Sequence, residues 1–389
     1  MNIERLISVD RFEVSAFLFG CRQVGKTWFL RHNIKPDIYI DMLKKSELVR
    51  YTANAELLYA EIEALNVMSP LIVIDEIQKL PGLLDEVHRA IESPFEARFI
   101  LTGSSARKLK RNHANMLGGR AVTLNLFPFC YSEIKDNFSL TEYLQFGGLP
   151  RIYMTKSRKL KKKMLESYVA TYLKEEIYEE SLIRNLPAFT RFLEFAGYEN
   201  GNAINCSSIS MQLGVSSNTV REYFKILEDT LLGFYLLPFN KSHRKRLAKH
   251  PKFYFSDPGI VFALKRMLSV ELIEGTSLFG DAFEHFIVLE VTKAISYMEE
   301  EISLSFFRTS DGAEVDLILE KHGKVIPVEI KSSTAPATPS GLRSFLRDHK
   351  VSAAYCVCRT PRMYKRDDIN FISWQMLIDK LYDKTLFED

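Results

Sequence analysis

An α/β architecture built on a parallel sheet is predicted for the first third of the chain, and three observations predict it. Short apolar runs of strand length lie at 14–19, 37–41, 71–75, 98–102 and 121–126. Stretches with helical spacing separate them, at 26–32, 54–65, 82–92 and 105–110, and such alternation implies parallel strands with helices on both faces. The polar residues with chemical potential follow the carboxyl ends of the strands, the edge at which such sheets bind ligands.

The first strand runs straight into Gly20, Cys21, Arg22, Gln23, Val24, Gly25, Lys26 and Thr27, the pattern G-x-x-x-x-G-K-[ST] with no position missing. Glycines at both ends let the backbone turn tightly and aim its N–H groups inward at phosphate oxygens. Trp28 to Arg31 continue as a helix, whose positive end adds to the attraction. The phosphate-contacting stretch is therefore expected to run from Gly20 to Trp28. Lys26 is expected to reach the β- and γ-phosphates and the Thr27 hydroxyl to hold Mg²⁺.

The strand Leu71–Asp75 ends in Asp75 and Glu76. Asp75 is expected to hold the Mg²⁺ through water, and Glu76 to polarise the attacking water as general base. The strand at 98–102 leads to Ser104, a small hydroxyl that can sense the terminal phosphate; turn composition is the plainer alternative. Arg120, after Leu117, Gly118 and Gly119, is either an arginine finger, in its own subunit or a neighbour's, or a loop arginine paired with a carboxylate.

At 389 residues, 46% hydrophobic and 26% charged, the chain has the composition of a soluble globular protein of several domains. No apolar run approaches the roughly 18 residues of a membrane helix, and the N-terminus lacks a signal-peptide core, so a cytosolic location without membrane contact is expected. Five cysteines without a C-x-x-C spacing read as reduced core residues. The net charge of +3 is small but unevenly placed. Residues 156–163 are nearly all basic, and residues 240–252 contain no acid. Such runs suit nucleic acid or another polyanion, with a solvated face as the alternative.

Beyond 130, helices at 131–146 and 157–184, with the glycine turn Gly147–Pro150 between them, fit a small helical lid over 131–186. Over 187–257 the pattern changes. A helix at Phe189–Phe195, a second at Ser207–Leu213, a turn at Gly214–Ser216 and a third helix from Thr219 to Leu232, capped by Ser217 and Asn218, form a helix-turn-helix signature. Its polar face is expected to expose Ser217, Asn218, Thr219, Arg221 and Lys225 to DNA. Strands at 234–238 and 253–255 complete a winged helix with the basic run 240–252 as its wing; such modules also serve protein contacts.

In 258–389 an amphipathic helix begins at Phe279, and strands follow at 304–308, 313–320 and 325–331. Glu284 on the helix, Asp316 in a strand, and Glu329 with Lys331 after a hairpin can converge, because strand residues two apart share a face. Glu284, Asp316 and Glu329 are expected to bind a divalent ion, and Lys331 to orient its water or stabilise negative charge. A sheet with edge acids and a lysine is the alternative.

Taken together these residues resemble a family of prokaryotic AAA-type ATPases that end in a restriction-endonuclease-like domain. The resemblance rests on Gly20–Thr27 with Arg22 and Gln23, on Asp75 to Gln78, Leu101–Ser104, Leu117–Arg120, Gly147–Pro150, Pro251–Asp257, and Asp316 with Glu329 and Lys331. It implies ATP hydrolysis with Mg²⁺ on residues 1–130, a helical lid, a winged helix, and a nuclease-like α/β domain that keeps its shape more readily than its activity. A DNA-acting ATPase is the first reading. A nucleotide-switched interaction protein, homo-oligomeric and with an inactive nuclease-like domain, is the second.

Overall fold

The computed structural model describes residues 3–7, 13–103, 117–172, 185–240 and 250–388. The chain divides into two compact units, Met1–Phe129 with Asp229–Leu232, and Cys130–Glu228 with Gly233–Asp389.

In the first unit five strands, β1 (Ser15–Phe19), β2 (Ile38–Asp41), β3 (Leu71–Asp75), β4 (Arg98–Gly103) and β5 (Ala121–Asn125), form one parallel sheet in the order β2-β3-β4-β1-β5. Each is an apolar run, and the central ones are buried on both faces, as a parallel sheet requires. Register sets the site. Phe19 pairs with Gly103 and Asn125, and Asp41 pairs with Asp75, so the strand ends are level at one rim.

Helices α1 (Lys26–Asn33), α3 (Leu57–Leu65) and α4 (Leu84–Ile91) lie where the spacing placed them, and α2 (Lys45–Ala53) is additional. Only Tyr51 of α2 is buried, so the sequence carries almost no apolar stripe to betray it. The expected helix at 105–110 lies outside the described residues.

The second unit begins with four short helices, α5 (Tyr131–Ile134), α6 (Leu140–Phe146), α7 (Pro150–Tyr153) and α8 (Arg158–Ser167), the last followed by a π-turn at Tyr168–Tyr172. The single helix expected over 131–146 is thus two. The break falls at Phe138 and Ser139, whose backbone is extended. Phe138 leaves the helical path to join a ring cluster, 5.0 Å from Tyr131, 5.8 Å from Phe286 and 5.6 Å from Trp374 between centroids. Tertiary packing overrides local propensity here.

Helices α9 (Leu186–Tyr198), α10 (Cys206–Leu213) and α11 (Ser217–Asp229) follow, then antiparallel strands β6 (Gly233–Pro238) and β7 (Lys252–Phe255). The cap of α11 is Ser216, one residue earlier than expected: its Oγ accepts the Thr219 N–H at 3.1 Å. Ser217 and Asn218 are already inside the helix.

Helix α12 (Pro258–Leu264) and the long α13 (Ser277–Met298) precede strands β8 (Ser303–Arg308), β9 (Glu314–Lys321) and β10 (Lys324–Ile330). Helix α13 is buried on most of its circumference, more so than an amphipathic reading allows. Then come α14 (Ser340–Asp348), β11 (Tyr355–Cys358), β12 (Tyr364–Arg366), β13 (Ile369–Ser373) and α15 (Trp374–Tyr382). The sheet order is β12-β13-β11-β10-β9-β8-β6-β7. The hairpin strands β6 and β7 therefore form the edge of the C-terminal sheet, through parallel pairing of Leu237 and Pro238 with β8. The expected boundary at 257/258 cuts through this one sheet.

Two buried polar devices hold this unit. Glu290 and Lys293, each 1% exposed, pair at 3.0 Å on α13. Lys293 also donates to the Tyr143 hydroxyl at 2.8 Å, and Glu290 accepts the Tyr131 N–H at 2.7 Å. The second is Asp257, fully buried, which accepts the Gly148 N–H at 2.7 Å and caps α12 through the Ile260 N–H at 3.3 Å. A Cβ on Gly147 would stand 1.9 Å from the Asp257 carboxylate. The glycine turn and the distant acid are thus one packing motif.

Burial, only partly offset by those N–H donors and Lys293, raises the Asp257 carboxyl from 3.8 to about 6. Between those values the unfolded chain sheds a proton that the folded chain retains. The contribution of this group to stability therefore falls as pH rises from about 4 to 6, by about 3 kcal/mol at most, and is constant above. Urea midpoints across that range, compared with Asp257→Asn, check it. The slope attributable to this group should vanish in the variant.

Candidate functional site

The loop after β1 is shaped by close approach. A Cβ on Gly20 would meet the Leu126 carbonyl oxygen at 2.4 Å, so a side chain there would push the loop off the sheet. Gln23 (φ 66°) and Gly25 (φ 94°) both take the left-handed backbone, which turns successive N–H groups into one concavity. Gly25 caps α1 without offering a side-chain acceptor, leaving the first-turn amides of α1 for an anion. Lys26 is 5% exposed, and its Nζ donates to the Gly20 carbonyl at 2.6 Å and the Cys21 carbonyl at 3.4 Å. The ammonium is therefore folded over the loop it would share with a phosphate chain.

Asp75, wholly buried at the end of β3, gathers three hydroxyls. Thr27 Oγ1 donates to its Oδ2 at 2.7 Å and Tyr39 to the same oxygen at 2.9 Å, while Thr102 on β4 donates to Oδ1. The Thr102 hydroxyl in turn accepts the Glu76 N–H at 3.0 Å. Glu76 has φ 62°, and its Oε2 accepts from Gln78 Nε2 at 2.5 Å. The strained backbone swings the Glu76 carboxylate out of the strand line that Asp75 follows.

Thr102 lies within the Leu101–Ser104 stretch, but neither it nor Tyr39 is among the expected site residues. Register could have found Tyr39: Asp41 ends β2 level with Asp75, and Tyr39 shares Asp41's face. Burial, and then the adjacent Asp75, push the Tyr39 phenol well above its ordinary range, so it stays a donor. Arg31 pairs with Asp41 at 3.1 Å beside it.

Hard oxygen ligands from Thr27 and Asp75, beside a buried ammonium and a ring of inward amides, fit a Mg²⁺–triphosphate. Trp28 stands on the more exposed side of α1, stacked on His32 at 4.2 Å. Arg120 forms an ion pair with Glu92, both side chains being over 40% exposed. Ser104 lies outside the described residues.

The second constellation is at the other sheet. Asp316 and Glu329 face each other one step beyond the last paired residues, Leu317 and Val328. Asp316 Oδ2 accepts the Ile330 N–H at 2.7 Å, and Glu329 Oε1 accepts from Lys331 Nζ at 2.6 Å. Glu284 Oε1 accepts from the Tyr254 hydroxyl at 2.7 Å and is approached by Lys252 Nζ at 3.4 Å. Lys252 also pairs with Glu314 at 2.6 Å. Burial, then Glu284 and Glu329, push the Asp316 carboxyl well up, and burial likewise raises Glu329. Burial alone would lower the Lys252 ammonium, but Glu284, Glu314 and Asp316 outweigh it and hold it charged.

Among the described residues no three or more His, Cys, Asp and Glu side chains are arranged to hold a metal ion. Glu284, Asp316 and Glu329 do gather, but ammonium, hydroxyl and amide donors already occupy one oxygen of each. With those donors in place, Lys252 and Lys331 supply positive charge beside the expected metal ligands. Lys331 stands beside Glu329 on the same strand face, its side chain half-exposed.

On α11, Asn218, Arg221 and Lys225 are exposed or half-buried, as are Ser217 and Thr219, with Arg221 donating to Asn218 at 2.7 Å. Residues 241–249 of the basic run lie outside the described residues. No helix among the described residues is long and apolar enough to cross a membrane.

Residues 14–135 match a family model described as an AAA domain. Residues 137–271 and 279–377 match two models described as domains of unknown function (DUF8612 and DUF4143). An uncharacterized protein of Mycobacterium tuberculosis is 26% identical over 343 residues, 86% of this chain and 74% of that protein. An uncharacterized protein of Methanocaldococcus jannaschii is 24% identical over 269 residues, 62% of this chain and 60% of that protein. The ADP-form structure of the Aeropyrum pernix ORC2 protein aligns at TM-score 0.32 and 12% identity, over 66% of this chain and 88% of that one. That likeness is too slight to carry an argument. The N-terminal sheet, its loop and the family match together describe an AAA-type domain.

Proposed function

We propose that the chain is an ATP-hydrolysing AAA-type ATPase whose second unit contacts nucleic acid. The observation that carries the first half is the hydroxyl–carboxylate pair of Thr27 and Asp75, 2.7 Å apart beside buried Lys26. In this reading Lys26 exchanges its loop carbonyls for the β- and γ-phosphates, and Thr27 and Asp75 share one Mg²⁺. Bound there, Mg²⁺ supplies Lewis-acid neutralisation of the phosphate oxygens. Glu76, once released by Gln78, accepts the proton of the attacking water. Tyr39 and Thr102 hold the Asp75 carboxylate in one orientation. Phosphate release from ATP that requires Mg²⁺ is the expected result with purified protein, and none under any condition overturns the reading.

The second half rests on α10 and α11, read as a helix-turn-helix, and on β6 and β7, read as the strands of a winged helix. Arg221 and Lys225 on α11 and the basic run that begins at Asn240 supply phosphate partners. In this reading Lys252 and Lys331 take the place of a metal ion at the Asp316–Glu329 cluster, and cleavage is not expected. DNA should shift in a gel at low salt, and the affinity should fall steeply as salt rises. Arg221→Ala with Lys225→Ala should weaken binding and lower the log–log salt slope by about 1 for each phosphate no longer neutralised. A slope unchanged by the pair, or no binding at low salt, favours a protein-contact role for these helices.

A further inference from the structure

Four carboxylates, Glu284, Glu314, Asp316 and Glu329, come together in the second unit, and two ammonium groups meet them. Lys331 is half-exposed and bonds Glu329 at 2.6 Å. Lys252 differs. It is 4% exposed, opens β7, passes its ammonium 5.4 Å from the Phe306 ring centroid, and reaches carboxylates on two other elements, Glu314 at 2.6 Å and Glu284 at 3.4 Å. Tyr254, two residues on along β7, bonds the same Glu284 oxygen. Within the cluster Glu329 Oε2 is buried without a hydrogen-bond partner, and Glu329 is 6% exposed.

We infer that Lys252 is the resident cation of this cluster, a tethered ammonium that stands in place of a divalent ion and, with Lys331, offsets part of the carboxylate charge, so that the sheet carries a carboxylate–lysine site that takes no metal. Several acids share a buried site only where a cation offsets them or some of them keep their protons. A lysine fixed on a strand supplies that charge without the loss of freedom and the dehydration that a free Mg²⁺ incurs. Removing one partner of a buried ion pair leaves its acids uncompensated. An external cation can then make good that deficit through the orphaned Glu329 oxygen and its neighbours. The same contacts make Lys252 a cross-link between the edge hairpin and the long helix α13, independent of the nucleotide site.

The test is Mn²⁺ binding by electron paramagnetic resonance on the full chain without nucleotide, with Asp316→Asn plus Glu329→Gln to assign any signal to the cluster. Wild type is expected to show no bound Mn²⁺ that the double variant removes. Lys252→Met is expected to gain one Mn²⁺, bound at least tenfold tighter than anything in wild type and abolished on adding Glu329→Gln. Should Lys252→Met fail to fold, the wild-type titration still decides, with the charge-keeping Lys252→Arg expected to match it. Mn²⁺ bound in wild type and removed with Asp316 and Glu329 overturns the inference, as does a folded Lys252→Met that gains none. Mn²⁺-dependent nicking of plasmid DNA by wild type that Glu329→Gln abolishes overturns it too. Phosphate release from ATP is expected to be unaffected by Lys252→Arg, so failure here and failure of the ATPase reading are separate results.

Discussion

Lys26→Ala should lower the turnover of ATP hydrolysis by about a hundredfold or more while leaving the fold intact. The side chain is buried against the loop and its ammonium bonds the backbone carbonyls of Gly20 and Cys21. Its removal leaves two carbonyl oxygens at a rim where water can replace the ammonium, so the stability cost is small. The catalytic cost is large because a preorganised charge aimed at developing negative charge is worth on the order of a hundred- to a thousandfold in a desolvated site. Malachite-green phosphate release and a thermal melt on the same preparation separate the two effects. Normal turnover in a folded variant removes Lys26 from the chemistry.

Lys293→Met should destabilise the second unit by about 3–5 kcal/mol, the largest stability effect expected of a single side chain here. The ammonium lies 3.0 Å from Glu290 and 2.8 Å from the Tyr143 hydroxyl, with both charged residues 1% exposed. Without it Glu290 still accepts the Tyr131 N–H, 2.7 Å away, but its buried charge has lost the cation beside it. Burial already raises the Glu290 carboxyl, with Lys293 as the chief opposing influence. Removing the lysine lets it rise further. The penalty should therefore shrink on acidification, as Glu290 takes up a proton and needs no partner. Urea denaturation at two pH values measures both. Lys293→Met with Glu290→Leu should recover most of the deficit, since replacing both partners leaves no orphan. A penalty that neither depends on pH nor is relieved by the second change would mean that packing, not charge, dominates.

How much of the molecule is legible in residues alone varies with the physics at each place. The five parallel strands of the first unit are legible because each is a mainly apolar run ending near a polar residue, and the loop after β1 because Gly20, Gly25, Lys26 and Thr27 have few substitutes. Asp75 follows from its place at a strand end. What stays hidden depends on partners distant in sequence. Tyr39 and Thr102 become site residues only once register aligns β2, β3 and β4. Helix α2 buries one residue of nine and leaves no stripe. The break at Phe138 needs Trp374 and Phe286 to be intelligible.

In the second unit the acids at 284, 316 and 329 are visible in the sequence, but the lysine that closes them looks there like part of a basic run. Lys252 sits at the end of that run in the sequence and inside the carboxylate cluster in the fold. Composition sees its charge, and only strand pairing shows which acids the charge meets. The continuity of β6 with β8 is hidden for the same reason, since parallel pairing joins segments far apart along the chain. Elements after Lys331 carry no motif that would single them out.

Lys26, Thr27 and Asp75 form one site for a Mg²⁺-bound triphosphate: on this the proposed chemistry stands. Calorimetric titration of ATP into the wild-type chain and into Lys26→Ala, each with and without Mg²⁺, tests it most directly. Wild type should bind one ATP per chain, at least tenfold tighter with Mg²⁺ than without, and Lys26→Ala should lose most of that affinity. Equal binding by both proteins, or affinity indifferent to Mg²⁺, would contradict it.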